Sequence, residues 1–145
     1  MEQVATALDS LVGYNLKRAY IILQNDFRAA LGHDGLSTRG FSALSLVVEN
    51  PEITQSELAR RLGIERSGLV AIVDDLEGRG YLARKVVPGD RRVQALVPTE
   101  QGHAAHDAAL EAIQAQEAWR LSGFSGAERM MLLDFLSRIR NTDVS

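Results

Sequence analysis

Along most of this chain apolar residues recur at the three-to-four-residue spacing of a helix face; the two-residue spacing of a strand appears in one place. From about Glu2 to Leu31, the residues Leu8, Leu11, Val12, Leu16, Ala19, Ile22, Leu23 and Phe27 predict one long amphipathic helix, stopped by Gly32 and Gly35. That stripe is longer than a small domain can cover by itself, so part of it is expected to face a partner chain. A second helix is expected after Ser37, with Phe41, Leu44 and Val48 on one face, ending at Asn50 before Pro51. Thr54-Gln-Ser-Glu57 has the form of a capping box and opens a short helix through Leu58, Ala59 and Leu62 to Gly63. Two residues later a further helical pattern begins, with Leu69, Ile72, Val73 and Leu76 as its buried stripe, closed by Gly78 and Gly80. Two short helices about a tight glycine turn predict a helix-turn-helix.

The strand signal follows. Tyr81–Val87 and Arg92–Val97 flank the turn residues Pro88-Gly89-Asp90, which predicts a two-stranded hairpin. Thr99 then caps an alanine-rich helix (Ala104, Ala105, Ala108, Ala109, Ala112, Ala115, Ala118) expected to pack closely along another helix. Ser125-Gly-Ala-Glu128 is a second capping box, opening a helix with Met131, Leu132, Phe135, Leu136 and Ile139 on its stripe. The fold class expected is mainly α with a minor β-hairpin.

Composition narrows the possibilities. At 145 residues, 46% hydrophobic and 24% charged, the chain has the make-up of one ordinary globular domain. It contains no cysteine, which removes disulfides, thiolate metal sites and thiol redox switching. No apolar run reaches membrane-spanning length, and the start MEQVATALDSLVG lacks the form of a signal peptide, so a cytoplasmic location is expected. Net charge is −3, yet from Arg60 to Arg92 eight Lys/Arg face five Asp/Glu. A basic middle in an acidic chain suggests one surface suited to phosphate.

The helix-turn-helix spans Gln55–Val73. It is followed by Glu77-Gly78-Arg79-Gly80-Tyr81-Leu82, then Pro88-Gly89-Asp90-Arg91-Arg92, then Thr99-Glu100-Gln101-Gly102. In that order and spacing these motifs resemble the MarR (multiple antibiotic resistance regulator) family, and the resemblance covers nearly the whole chain. It implies a winged helix-turn-helix, dimeric transcriptional regulator, commonly a repressor relieved by a small ligand. Residues 36–98 would form the DNA-binding lobe, and 1–35 with 99–145 the helical dimerisation lobe, where Trp119, Phe124, Phe135 and Ile139 help bury area. The partners implied are a second copy of the chain and a pseudo-palindromic double-stranded operator.

The residues themselves support such a surface. With Leu69, Ile72, Val73 and Leu76 inward, the second helix of the motif turns Ser67, Val70, Ala71 and Asp74 outward with Arg66 on the flank. A major groove admits a helix, Ser67 and Arg66 can hydrogen-bond bases or phosphates, and Val70 can meet a thymine methyl. Thr54, Gln55 and Ser56 open the preceding helix, whose amide end suits a phosphate. Arg91 and Arg92 at the hairpin tip, with Arg84 and Lys85 at its base, can reach phosphate or the minor groove. The family pattern pairs an aspartate of the recognition helix with a wing arginine, positions held here by Asp74 and Arg92. Relatives often carry basic residues where this chain has Ala71 and Asp75, and the wing is short. A shallower salt dependence and a heavier reliance on the wing follow.

No catalytic constellation is present, and neither a cofactor nor a metal site is expected. His103 and His106, with His33 elsewhere, are the residues a zinc-responsive variant would use; a structural histidine pair on an apolar stripe is the simpler reading. The resemblance places a ligand pocket among Tyr14, Arg18, Tyr20, Phe41 and His106, where aromatic walls and one cation suit an aromatic or lipophilic anion. The alternative from another class is a winged-helix protein–protein module without DNA binding.

Overall fold

The computed structural model describes residues 6–87 and 89–142, with the backbone alone at residues 90–92. Among them are six α-helices and one small sheet. In chain order these are α1 (Val12–Leu31), α2 (Thr38–Glu49), β1 (Ile53–Thr54), α3 (Gln55–Leu62), α4 (Arg66–Gly78), β2 (Leu82–Val87), β3 (Asp90–Pro98), α5 (Glu100–Arg120) and α6 (Gly126–Arg140). The sheet is antiparallel, in the order β1-β3-β2. No helix of the described residues is long and apolar enough to cross a membrane.

The first helix is shorter than its pattern predicts. Leu8–Ser10 form a separate 3-10 turn, and Leu11 is extended before α1 starts at Val12. Polar bonds end the turn: Asp9 accepts from Thr6, and the Asn15 amide donates to the carbonyls of Asp9 and Leu11 at 2.9 and 2.8 Å. The stretch expected to begin at Glu2 lies, for residues 1–5, outside the described residues.

Ser37 caps α2 through Gly40 N, and Thr54 caps α3 through Glu57 N at 3.2 Å. The Glu57 carboxylate does not return to Thr54, so that capping box is half formed. It is taken instead by Arg60 and Arg61, one turn on, whose guanidinium groups hold its carboxyl at about 2. The Ser125–Glu128 box is complete in both directions.

β1 is the element the periodicity missed. At two residues it is too short to show alternation. It exists because Glu52 takes a left-handed φ of 71° that turns the chain after Pro51, and Glu52 N then donates to Leu96 O at 2.9 Å.

Apart from Ala109 of α5, the buried core lies within residues 36–98. Leu44, Val47, Leu58, Leu69, Val73, Leu76, Leu82 and Leu96 are its fully buried large side chains. By contrast, neither α1 nor α6 contributes a single buried residue. The alanine-rich α5 packs along α1, but unevenly: Ala109 is buried, while Ala104, Ala108, Ala115 and Ala118 are exposed.

Candidate nucleic-acid interface

The turn between α3 and α4 is closed by Gly63 at φ 65°, ψ 33°, a left-handed conformation that glycine adopts at little cost. Gly63 N and Ile64 N donate to Arg60 O and Ala59 O, which fixes the crossing of the two helices. Leu69, Val73 and Leu76 of α4 face the core, with Ile72 half-buried. Ser67, Val70, Ala71 and Asp74 are exposed on the opposite stripe, as the helical spacing predicts.

A notch of about 310 Å³ separates the start of α3, the start of α4 and strand β3. Thr54, Gln55, Ser56, Arg66, Val93 and Gln94 line it. Arg66 leans across one wall, donating to Ser56 Oγ at 3.1 Å. Gln55 donates to Gln94 Oε1 at 3.1 Å and so ties α3 to the hairpin. Val93 and Gln94 were not singled out by sequence reasoning. The polar Gln94 next to the buried pair Ala95 and Leu96 is the signal that could have found it. Leu82, Arg84 and Val86 alternate along one face of β2, the face that meets α4. Val86 stands 62% exposed there beyond the core.

Charge on this surface is largely paired. Arg84 donates to Asp74 at 2.5 Å and to Glu77 at 3.1 Å, so one guanidinium bridges two carboxylates on successive turns of α4 and offsets half of their charge. Arg84 therefore straps the hairpin to the recognition helix and does not face outward for phosphate, a correction to its expected place. Asp74 is wing-positioning in this sense, through Arg84. The side chains of Arg91 and Arg92 lie outside the described residues, and the expected Asp74–Arg92 pair with them. Lys85 meets Glu52 at 2.5 Å, and Arg79 meets Asp75 at 3.0 Å while also donating to Asp34 O. Replacing Arg84 with alanine would leave Asp74 and Glu77 uncompensated beside a polyanion. DNA affinity is expected to fall on the order of tenfold, about 1.4 kcal/mol. The melting temperature should move by only a few degrees, since a partly exposed strap contributes about 1 kcal/mol. Anisotropy and thermal melts check both.

The five expected ligand-pocket residues fall into two groups. Phe41 and His106 stack in parallel with ring centroids 5.6 Å apart, and Phe27 meets Phe41 edge-on at 5.9 Å. His106 is buried, its Nε2 3.0 Å from Ser45 Oγ and its Nδ1 3.1 Å from Asp107. On the first half of α1, Arg18 donates to the Tyr14 hydroxyl at 2.8 Å. Nine residues of helix, about 14 Å at 1.5 Å each, separate Arg18 from Phe27. Tyr20 is 59% exposed. His103 is exposed, and among the described residues no three His, Asp or Glu side chains group to hold a metal ion.

Comparison with known proteins agrees with this geometry. Residues 34–93 match the family described as MarR. A Thauera aromatica protein, provisionally named the transcriptional regulatory protein for the hcr operon, is 29% identical over 143 residues, 98% of this chain and 86% of that protein. The transcriptional repressor CouR bound to a 23-mer DNA duplex superimposes with a TM-score of 0.88 at 36% identity, over 97% of this chain and 100% of that one. CouR from Rhodococcus jostii RHA1 bound to p-coumaroyl-CoA gives a TM-score of 0.83 at 30% identity over the same shares.

Proposed function

The chain belongs to the MarR family, and from that premise we infer that it is a homodimeric, DNA-binding transcriptional regulator acting as a ligand-released repressor. The observation that carries this is the outward stripe of α4, clear of the body and flanked by the start of α3 and by the hairpin. Residues 36–98 are read as the DNA-binding lobe, with α1, α5 and α6 as the dimerisation lobe. Its relatives regulate transcription, and we read this chain as a cytoplasmic regulator and not an enzyme.

Within the interface, Ser67, Val70 and Ala71 face the groove, and Thr54, Gln55 and Ser56 meet the backbone with Arg91 and Arg92, while Lys85 is held by Glu52. Arg66 is assigned to base reading. Arg66→Ala is expected to lower the ratio of specific to random affinity about tenfold, within the 1–3 kcal/mol of a base contact. An unchanged ratio would remove Arg66 from the readers.

The effector is placed in the class of aromatic or lipophilic anions. CouR carries p-coumaroyl-CoA, an aromatic acyl thioester with anionic phosphates, which belongs to that class. Such a ligand acts only through its different affinity for the operator-competent and misfit dimers.

The test is fluorescence anisotropy of the purified protein on labelled DNA from upstream of its own gene, titrated with salt beside a scrambled duplex. Binding that falls steeply with salt and exceeds the scramble is the expected result. Equal binding to both duplexes at low salt would favour the protein–protein module.

A further inference from the structure

One hydroxyl joins the start of α5 to the end of α4. Thr99 Oγ1 donates to the Gly80 carbonyl at 2.5 Å and accepts from Gly102 N at 2.9 Å, acting as donor and acceptor at once. Its backbone N–H donates to the Tyr81 carbonyl at 3.1 Å. Two glycines permit the approach. Gly80 takes a φ of 79°, and a Cβ on Gly102 would stand 1.9 Å from Tyr81 O. The first turn of α5 therefore rests backbone to backbone on the residues that leave α4. The two helices do not pack along one another; α2 touches both, and the Gly80–Tyr81 joint is the direct connection.

We propose that the Thr99 hydroxyl is a positioning group that fixes the angle between α5 and the recognition helix, and so sets the separation of the two recognition helices in the dimer. This rests on the homodimer reading above. Leverage gives the joint its consequence. The 21 residues of α5 extend about 30 Å, so a tilt of about 10° at the joint displaces the far end by about 5 Å. Two half-sites one helical turn apart are about 34–36 Å from centre to centre, so such a displacement spoils the fit of one recognition helix when the other is seated.

The chain has no cysteine, so Glu65→Cys at the start of α4 creates a unique labelling position. Glu65 is exposed, and its side chain makes no cap bond to α4. Pulsed dipolar EPR on the nitroxide-labelled full-length dimer then reads the distance between the two copies. Thr99→Ser keeps the hydroxyl and is expected to reproduce the parent distribution. Thr99→Val, similar in shape but without the hydroxyl, is expected to shift or broaden it by about 5 Å, the displacement that a tilt of about 10° gives. Thr99→Ala serves if the valine variant does not fold. A parent-like distance in the valine and alanine variants overturns the proposal, even if they melt earlier, because the hydroxyl then supplies stability alone. A serine variant that moves as far as valine overturns it as well. If the labelled parent gives no dipolar signal, the homodimer reading itself has failed, and the proposal falls with it.

Discussion

Replacing Phe135 with aspartate is expected to turn the protein into a monomer at micromolar concentration. Among the described residues sixteen large hydrophobic side chains are exposed, and fourteen of them lie between Leu8 and Ile22 or between Trp119 and Ile139. Met130, Leu133 and Val12 are each about two-thirds exposed or more, at 72%, 66% and 66%. Soluble monomers rarely leave a contiguous apolar patch beyond a few hundred Å². α6, which has no buried residue of its own, is anchored to the rest of the chain by little more than Arg129 donating to Glu117 O. A second copy covering α1 and α6 resolves both facts.

Phe135 lies mid-stripe on α6 and occurs twice in the dimer. Each loss from a desolvated interface is worth about 2–4 kcal/mol, and a buried carboxylate adds several more. The dimer dissociation constant should rise by more than about 10⁴-fold, which sedimentation velocity would register as a change in mass. DNA binding should drop with it, because the second half-site loses an effective-concentration advantage of about 10²–10⁴. Arg138, which stacks over the Phe135 ring at 5.8 Å but is 71% exposed, provides the control. Arg138→Ala should leave the dimer intact. A Phe135→Asp protein that still sediments as a dimer would take α6 out of the interface.

The helices and the hairpin were legible because their signals are local. Ser37, Thr54, Thr99 and Ser125 each cap the helix expected of them, and the α4 stripe has a single solution at 3.6 residues per turn. What the sequence concealed is pairing across distance. No spacing rule connects Arg84 to Asp74, Asp26 to Arg120, or Thr99 to Gly80. Arg120 holds Asp26 through two bonds of 2.6 and 2.8 Å, binding α1 to the end of α5 across 94 residues of chain. Glu57 shows the opposite failure. Its capping-box motif was present, but two arginines on the next turn made a better partner than one backbone amide. The expected ligand-pocket residues form two local pairs, Phe41 stacked on His106 and Arg18 bonded to Tyr14, and no spacing rule relates a residue of α1 to one of α2 or α5.

The same pairing makes the wing arginines decisive. Of the six cations described between Arg60 and Lys85, five are engaged by carboxylates: Arg60 and Arg61 by Glu57, Arg79 by Asp75, Arg84 by Asp74 and Glu77, and Lys85 by Glu52. Those pairs cancel charge that would otherwise repel or attract phosphate. Arg66 meets a neutral hydroxyl, and Arg91 and Arg92 are assigned to phosphate by their place at the hairpin turn. These two wing arginines per protomer, four per dimer, contribute about −3.6 to the salt slope at about 0.9 per phosphate. The double variant Arg91→Ala/Arg92→Ala removes all four. Its slope should become shallower by about that amount, and affinity at 0.15 M salt should drop by about 10²–10³-fold with the fold and dimer intact. Salt titration of anisotropy separates this from a loss of base reading, which lowers affinity at every salt concentration without changing the slope. A double variant that keeps the parent slope would take the hairpin tip off the DNA and leave phosphate contact to the notch between α3, α4 and β3.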